Sequence, residues 1–252
     1  MTAKRSLILT YHSLDETGSV ISVTPAIFRA HMESLFRRKI PVVPLTEIRR
    51  TSGAVALTFD DAFANFHEHA LPLLSEYGFP ATVFVVSGYC GGQNNWPSQP
   101  SGAVPTLALM SWSQLRELQA AGIALGAHSV NHPRLNELAE GEVEAELEGC
   151  RAAIEDRAGC RVDSFAYPYG AWNGAVRRCA GRFFQTACTT EMEAVEPTSD
   201  PLALPRIDAY YLRSSFWFDA LFTSKGWTYL DLRSRLRAIR HRRLAGPISR
   251  PA

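Results

Sequence analysis

Ala54-Val-Ala-Leu-Thr-Phe59-Asp60-Asp61 decides the fold. Six residues without a formal charge, rich in β-branched and apolar side chains, end in two adjacent carboxylates. The run reads as a strand buried on both faces, as the strands of parallel sheets are. Side by side, two carboxylates repel, so something positive must face them: a metal, an arginine or a shared proton. An aspartate before Ala62 also suits a helix N-cap, which accounts for one acid but not two.

Outward from this stretch the same alternation recurs. Ser6–Tyr11, Ala81–Val86, Ile123–Ala127, Ser164–Tyr167, Phe183–Cys188 and Leu202–Asp208 read as further strands. Pro25 opens a helix through Lys39 with Phe28, Met32, Leu35 and Phe36 on one face. Phe63–Tyr77 reads as a helix stopped by Gly78, Ser111 caps one ending near Gly122, and Glu140–Arg157 is a charged helix. Gly88–Pro105, rich in Gly, Pro and Asn, is a long loop of the kind that carries function. Strands alternating with helices predict parallel βαβ units. No GxGxxG or GxxxxGK[ST] follows any strand, which counts against a nucleotide-binding open sheet. Polar residues gather just after strands, as at the C-terminal mouth of a barrel. The expectation is therefore an α/β fold, a distorted (β/α)7-like barrel of one domain over 1–224, with a basic C-terminal helix and tail over 225–252.

Composition narrows the function. In 252 residues, 26 Lys and Arg against 25 Asp and Glu leave a net charge of +1, so no global field draws in nucleic acid. No apolar run approaches the 18 or so residues of a membrane span. Met1–Tyr11 lacks a long apolar stretch, and the five cysteines are odd in number with no CxxC pair. Both features read as a cytoplasmic chain with reduced thiols. The last 22 residues hold seven arginines and one acid, Asp231. From Tyr229 onward, Tyr229, Leu232, Leu236 and Ile239 recur at helical steps, after a cluster of aromatics from Phe216 to Trp227. Such a basic amphipathic helix suits peripheral contact with the inner membrane face; a solvated helix packed on the barrel is the plainer alternative.

Four further features bear on chemistry. His128-Ser-Val-Asn-His132 follows a strand, and His-x-x-x-His can present two imidazoles to one metal. Pro133 disfavours helix at His132, so the pair sits on a loop or single turn. With an Asp at another strand end, two His make a three-ligand set with room for water and substrate. Pro168-Tyr169-Gly170 forces a tight turn able to aim a backbone N–H into a cleft. His12 ends the first strand, where a proton donor is useful. Arg206, on the last strand, is the counter-ion expected for Asp60.

TFDD, HxxxH and PYG, in that order and at these distances, resemble the polysaccharide deacetylase family (NodB homology, carbohydrate esterase family four) over roughly residues 6–210. The resemblance implies a distorted barrel of about seven strands. It also implies a metal-dependent hydrolase that removes an N-acetyl group from an acetamido sugar in a polysaccharide, oligosaccharide or glycolipid. Carried over by position, Asp60 resembles the general base and Asp61, His128 and His132 the metal ligands. Tyr169 resembles the residue whose backbone N–H completes the oxyanion hole. Two positions depart from the pattern. Ala166 stands where the family usually has a base-orienting arginine, and no histidine follows His132 in the Leu-x-His context of the usual general acid. Tyr11-His12 matches a permuted type, similar to deacetylases of biofilm poly-N-acetylglucosamine, in which the acid comes from the N-terminus. Ser22-Val-Thr-Pro-x-x-Phe28 matches the same type, and Arg206 would then replace the missing arginine. Zn²⁺ is the default ion, with Co, Ni, Mn or Fe(II) fitting the same donors. Trp96, in the long loop, suits a sugar face. The competing readings are a metal-dependent hydrolase of a non-sugar amide or imide, a metal-free carbohydrate-binding homologue, and an iron(II) oxygenase, whose usual jelly roll the α/β pattern disfavours.

Overall fold

The computed structural model describes residues 5–99, 102, 104–223, 226–230 and 232–233. Its order is β1 (Leu7–Tyr11), β2 (Ser13–Leu14), β3 (Ser22–Val23), α1 (Pro25–Arg37), β4 (Val55–Phe59), α2 (Asn65–His69), α3 (Leu71–Tyr77) and β5 (Ala81–Val85). There follow α4 (Trp112–Ala120), β6 (Ala124–Ala127), α5 (Glu140–Ala158), β7 (Ser164–Ala166), α6 (Gly174–Phe183), β8 (Thr186–Cys188), β9 (Ile207–Asp208) and α7 (Ser215–Ala220). Seven strands form one sheet in the order β8-β7-β6-β5-β4-β1-β9, every neighbouring pair parallel. β2 and β3 pair apart from it.

Every residue of β1, β4 and β5 is buried, because the sheet is covered on both faces. The period-2 alternation of strand side chains splits the core in two. Leu7, Leu9, Val55, Leu57, Val83 and Val85 belong to the large outer cluster that receives the helices. Ile8, Ala56, Phe84, Ala166, Cys188 and Leu204 form a second cluster inside the curled sheet. The sheet's two edges are joined through the segment before β9. Leu204 bridges Cys188 in parallel, the Arg206 N–H donates to the Glu191 carbonyl, and Ile207–Asp208 pair with β1. This is the expected distorted barrel.

Several local expectations are corrected. Helix Phe63–Tyr77 is broken into α2 and α3 at Ala70, because Pro72 has no N–H to continue the ladder. No helix starts at Ala62; the turn runs on to Asn65, so neither aspartate is an N-cap. Phe36 is 60% exposed, packed at its edge on Tyr77, while His31 and Ser34 join the buried face of α1. Phe183 ends α6 instead of opening a strand, and Pro205, which cannot donate, shortens Leu202–Asp208 to Ile207–Asp208. Gly78 does stop α3, in the left-handed conformation, and Ser111 does cap α4. No helix among the described residues is long and apolar enough to cross a membrane. Most of the basic helix expected at 225–252 lies outside the described residues.

A buried histidine ties the C-terminal part of the chain to β1. The Leu212 carbonyl can only accept, so His31 Nε2–H donates to it (3.0 Å), and Nδ1 then accepts from the Tyr11 hydroxyl (2.9 Å). The ring stacks on Phe218 at 3.8 Å. Burial pushes its pKa from 6.5 down to about 4, against the pull of the Leu212 carbonyl and Asp219. A histidine kept neutral by folding contributes stability that is complete above pH 6.5 and lost as pH falls toward 4. Urea denaturation should therefore show a loss of up to about 3 kcal/mol from this group across that window. His31→Gln should be less stable at pH 7.5 and should lose less on acidification. An acid limb unchanged in the variant would refute the assignment.

Candidate active site

The site sits at the C-terminal ends of the strands. Past the end of β4 the ladder runs one residue further, with Asp60 N–H donating to the Tyr11 carbonyl, and the chain then turns through Asp61 (φ 68°) and Ala62 (φ 59°). Past β6, His128 N–H donates to the Val85 carbonyl before the turn that carries His132. Three acceptors hold that turn. The Glu146 carboxylate, reaching up from α5, takes the N–H groups of Val130 and Asn131 at 2.8 Å and the Asn131 side-chain amide at 2.6 Å. Ser129 Oγ takes the His132 N–H at 2.9 Å. After β7, Tyr169 lies at φ 59°, and a Cβ on Gly170 would sit 2.2 Å from Thr190 Oγ1, so only glycine fits.

Asp60 and Asp61 are both buried and have opposite environments. Arg206, 2% exposed, grips Asp60 with a two-pronged pair, Nη1–Oδ1 and Nη2–Oδ2, each 2.7 Å. Its Nε–H donates to the Thr189 carbonyl at 3.0 Å. Burial pushes the Asp60 carboxyl up, but the Arg206 guanidinium, then His128, outweigh it and hold the group well below the usual carboxylate range. Asp61 has no such partner. Burial raises its carboxyl, and Oδ1 is buried without a hydrogen bond.

That oxygen faces two imidazoles, 3.5 Å from His128 Nε2 and 3.4 Å from His132 Nε2, with the two nitrogens 3.2 Å apart. His128 Nδ1–H donates to the Ala166 carbonyl at 2.7 Å, which turns its Nε2 toward Asp61. Burial, then the His128 ring, pushes the His132 imidazole well below its ordinary value, so it is neutral. A carboxylate oxygen and the nitrogens of two imidazole rings thus converge, all ligand atoms within 4.8 Å of one another. Such a donor set fits a divalent cation with oxygen and nitrogen ligation. The Ala166 carbonyl does for His128 what outer-shell acceptors do for metal-binding histidines generally, fixing tautomer and ring orientation.

His12, half-buried, puts Nε2 3.8 Å from Asp60 Oδ2. Trp96 is 3% exposed; it lies against the His132 ring at 4.3 Å and donates its indole N–H to the Tyr169 hydroxyl. His12, Asp60, Asp61, Trp96, His128, His132 and Tyr169 all line one cavity of about 120 Å³, and Arg206 lies behind Asp60. Pockets that engulf a drug-sized ligand hold roughly 300–1,000 Å³. This one admits a small group and leaves the remainder of a larger molecule at its rim. Sequence reasoning missed Glu146, Ser98 and the carbonyls of Ala166 and Thr189. A glutamate among the many of α5 carries no distinguishing signal, and a backbone carbonyl carries none.

A family model described as polysaccharide deacetylase matches residues 48–184. YxkH of Bacillus subtilis is 25% identical over 209 residues, covering 79% of this chain and 70% of that protein. The poly-beta-1,6-N-acetyl-D-glucosamine N-deacetylase of Staphylococcus aureus is 26% identical over 166 residues, 61% of this chain. The chain spans only about half of that enzyme's length, 53%. The solved structure of IcaB from Ammonifex degensii shares the fold, with a TM-score of 0.70 at 20% identity, covering 86% of this chain and 98% of that one.

Removing one partner of a buried ion pair strands the other, at a cost of about 3–5 kcal/mol. Arg206→Met should lower unfolding free energy by about that much. Asp60→Asn in the Arg206→Met background should restore part of the loss, giving a coupling of at least about 2 kcal/mol in a double-mutant cycle. Additive losses would mean that the pair contributes nothing beyond its separate packing.

Proposed function

Since the chain belongs to the polysaccharide deacetylase family, we propose that it is a metal-dependent hydrolase that removes the N-acetyl group of an acetamido sugar. The observation that carries this reading is the convergence of Asp61, His128 and His132 beside an ionised Asp60 and His12 in one small cavity. An acetamido group is small enough for such a cavity, and the sugar would lie at the rim, where the half-buried Tyr169 offers aromatic surface.

Asp61, His128 and His132 would hold the ion, Zn²⁺ by default for this donor set. Bound there, a divalent ion supplies carbonyl polarisation and acidifies the attacking water, which suits a base as weak as the Arg206-paired Asp60. The remaining work falls to the chain's own groups. Asp60 accepts the proton of the attacking water as the oxygen adds to the acetyl carbon. The Tyr169 backbone N–H donates to the tetrahedral oxyanion. His12 delivers a proton to the amide nitrogen as the C–N bond breaks, so the products are acetate and a free amine. Its Nε2 lies 3.8 Å from Asp60 Oδ2, and both residues line the same cavity. Arg206 orients Asp60 and keeps it ionised, the task for which Ala166 has no side chain.

A screen of N-acetylglucosamine oligomers, monomeric acetamido sugars, glycolipids and small imides tests the substrate class; turnover of imides alone would overturn the sugar reading. Asp60→Asn should abolish turnover and still bind zinc near stoichiometrically, whereas His128→Ala should lose both, as metal analysis after dialysis would show. Equal zinc loss in the two variants would mean that the roles of the adjacent acids are misassigned. His12→Ala should lower kcat on an acetamido sugar by about 10²–10⁴, the usual range for an acid–base group. On 4-nitrophenyl acetate, whose leaving group needs no proton, the loss should stay within about tenfold. Equal losses on both substrates would remove His12 from the protonation step.

A further inference from the structure

The long loop between the short 3-10 turn Ser87–Tyr89 and α4 is fastened at its base. The buried Asn94 donates to the Pro105 carbonyl at 3.0 Å and accepts the Leu107 N–H at 2.6 Å, and its own N–H donates to the Leu107 carbonyl. Beyond that clasp the loop sends Trp96 and Ser98 into the site. Trp96 Nε1–H lies 3.1 Å from the Tyr169 hydroxyl, that hydroxyl 3.1 Å from Ser98 Oγ, and Ser98 Oγ 2.6 Å from the His132 carbonyl.

The proton positions along this chain follow from its two ends. An indole N–H can only donate and a backbone carbonyl can only accept. Ser98 spends its one hydrogen on His132, so the Tyr169 O–H must be the donor to Ser98, and Tyr169 in turn accepts from Trp96. Every hydrogen therefore points the same way, from the loop through Tyr169 to the backbone of His132. Tyr169 and His132 are also two of the residues held at positive φ, at 59° and 56°. For a residue with a Cβ such a conformation costs about 1–3 kcal/mol and persists only where surrounding contacts over-determine it. Further contacts bear on the same two residues: Trp96 on the His132 ring, the Tyr169 ring edge-on to His132 at 4.6 Å, and the Arg134 guanidinium 4.5 Å from the centre of the Tyr169 ring.

We propose that Trp96 and Ser98 are positioning residues. Through this one-way hydrogen-bond chain they lock the Tyr169 turn and the His132 turn in register, setting the oxyanion donor and one metal ligand together. The inference rests on the metal-hydrolase reading and goes beyond it. It gives Trp96 a task other than sugar contact and assigns the Tyr169 hydroxyl a donor bond that takes it out of proton transfer. It also makes the long loop part of the catalytic scaffold.

The test compares wild type with Ser98→Ala, Ser98→Thr and Trp96→Phe. It measures zinc affinity of the metal-free protein by competition with a chromogenic chelator, kcat and KM on an N-acetylglucosamine oligomer, and the thermal midpoint. Loss of an outer-shell partner typically weakens metal affinity or activity about 10–100-fold. Ser98→Ala should show that range in kcat and in zinc affinity, with KM within about threefold of wild type. Ser98→Thr, which keeps the hydroxyl, should recover to within about threefold, and Trp96→Phe, which keeps the ring and loses the N–H, should fall between. Zinc affinity and kcat both within about twofold of wild type in Ser98→Ala and Trp96→Phe would overturn the inference. So would equal losses in Ser98→Ala and Ser98→Thr, or a lowered thermal midpoint with normal constants in the folded protein. If wild type binds zinc but hydrolyses no acetamido sugar, the substrate reading fails, and the zinc arm still decides the inference.

Discussion

Two adjacent buried carboxylates cannot both go without a cation, and Arg206 settles which of them is satisfied by the protein itself. Its fork neutralises Asp60 and leaves Asp61 facing the two histidines. The same side chain is also architectural. Its backbone N–H bonds to Glu191 and its Nε–H to Thr189, both beyond β8, while the next residues pair with β1. Reaching across to the end of β4, the guanidinium draws the two edges of the curled sheet toward one mouth. Buried ion pairs seldom stabilise a fold more than apolar residues of the same volume would, because desolvation offsets their attraction. Holding Asp60 ionised, as its proposed role as base requires, explains the pair better than stability does.

The turns around that pair are strained. Among the described residues six non-glycines have positive φ, and five of them, Asp61, Ala62, Ser129, His132 and Tyr169, belong to the turns that build the cavity. At about 1–3 kcal/mol each, they would relax if left alone. The surrounding hydrogen bonds show what restrains them. Glu146 binds three N–H groups of the His128–His132 turn, Ser129 caps His132, and the loop residues Trp96 and Ser98 grip Tyr169 and His132. The parts of the molecule farthest from regular secondary structure are therefore among its most heavily tied.

The sequence carried the strand ends and the acids and histidines after them, because apolar runs and polar strand termini are one-dimensional signals. It also carried His12 and Arg206 as candidates, since a charged or titratable residue next to an apolar strand needs a partner somewhere. It could not carry the partners themselves. Glu146 resembles every other glutamate on α5 until the turn above it is placed. Ala166 reads as the loss of an arginine, yet its carbonyl is what orients His128. Trp96 reads as a residue for a sugar face and is buried against His132. The missed helix break at Pro72, the exposed Phe36 and the strand cut short at Pro205 are local failures of periodicity. In each, one residue's backbone or surroundings outweighed the pattern of its neighbours.

The N-terminal position of the proposed acid follows from the topology. In a curled parallel sheet all strand C-termini open onto one mouth, so a group's rank in the chain matters less than the strand it ends. β1 lies between β4 and β9, and Tyr11 pairs in register with Phe59. One residue further along each strand are His12 and Asp60, which the register alone makes neighbours at the rim; their side chains are 3.8 Å apart. A histidine after β9 would approach the same rim from the other side of β1. The sheet order therefore allows the first strand to supply a histidine that a last strand could also supply, without moving Asp60, the three converging residues Asp61, His128 and His132, or the turn at Tyr169. That freedom has a condition. Because β1 alone lies between β4 and β9 in the sheet, His12 and the arginine reach Asp60 from the same side of β4, His12 from the end of β1 and Arg206 from just before β9. The spacing of those strands, more than either residue's place in the sequence, keeps His12 beside Asp60 at the cavity and Arg206 behind it.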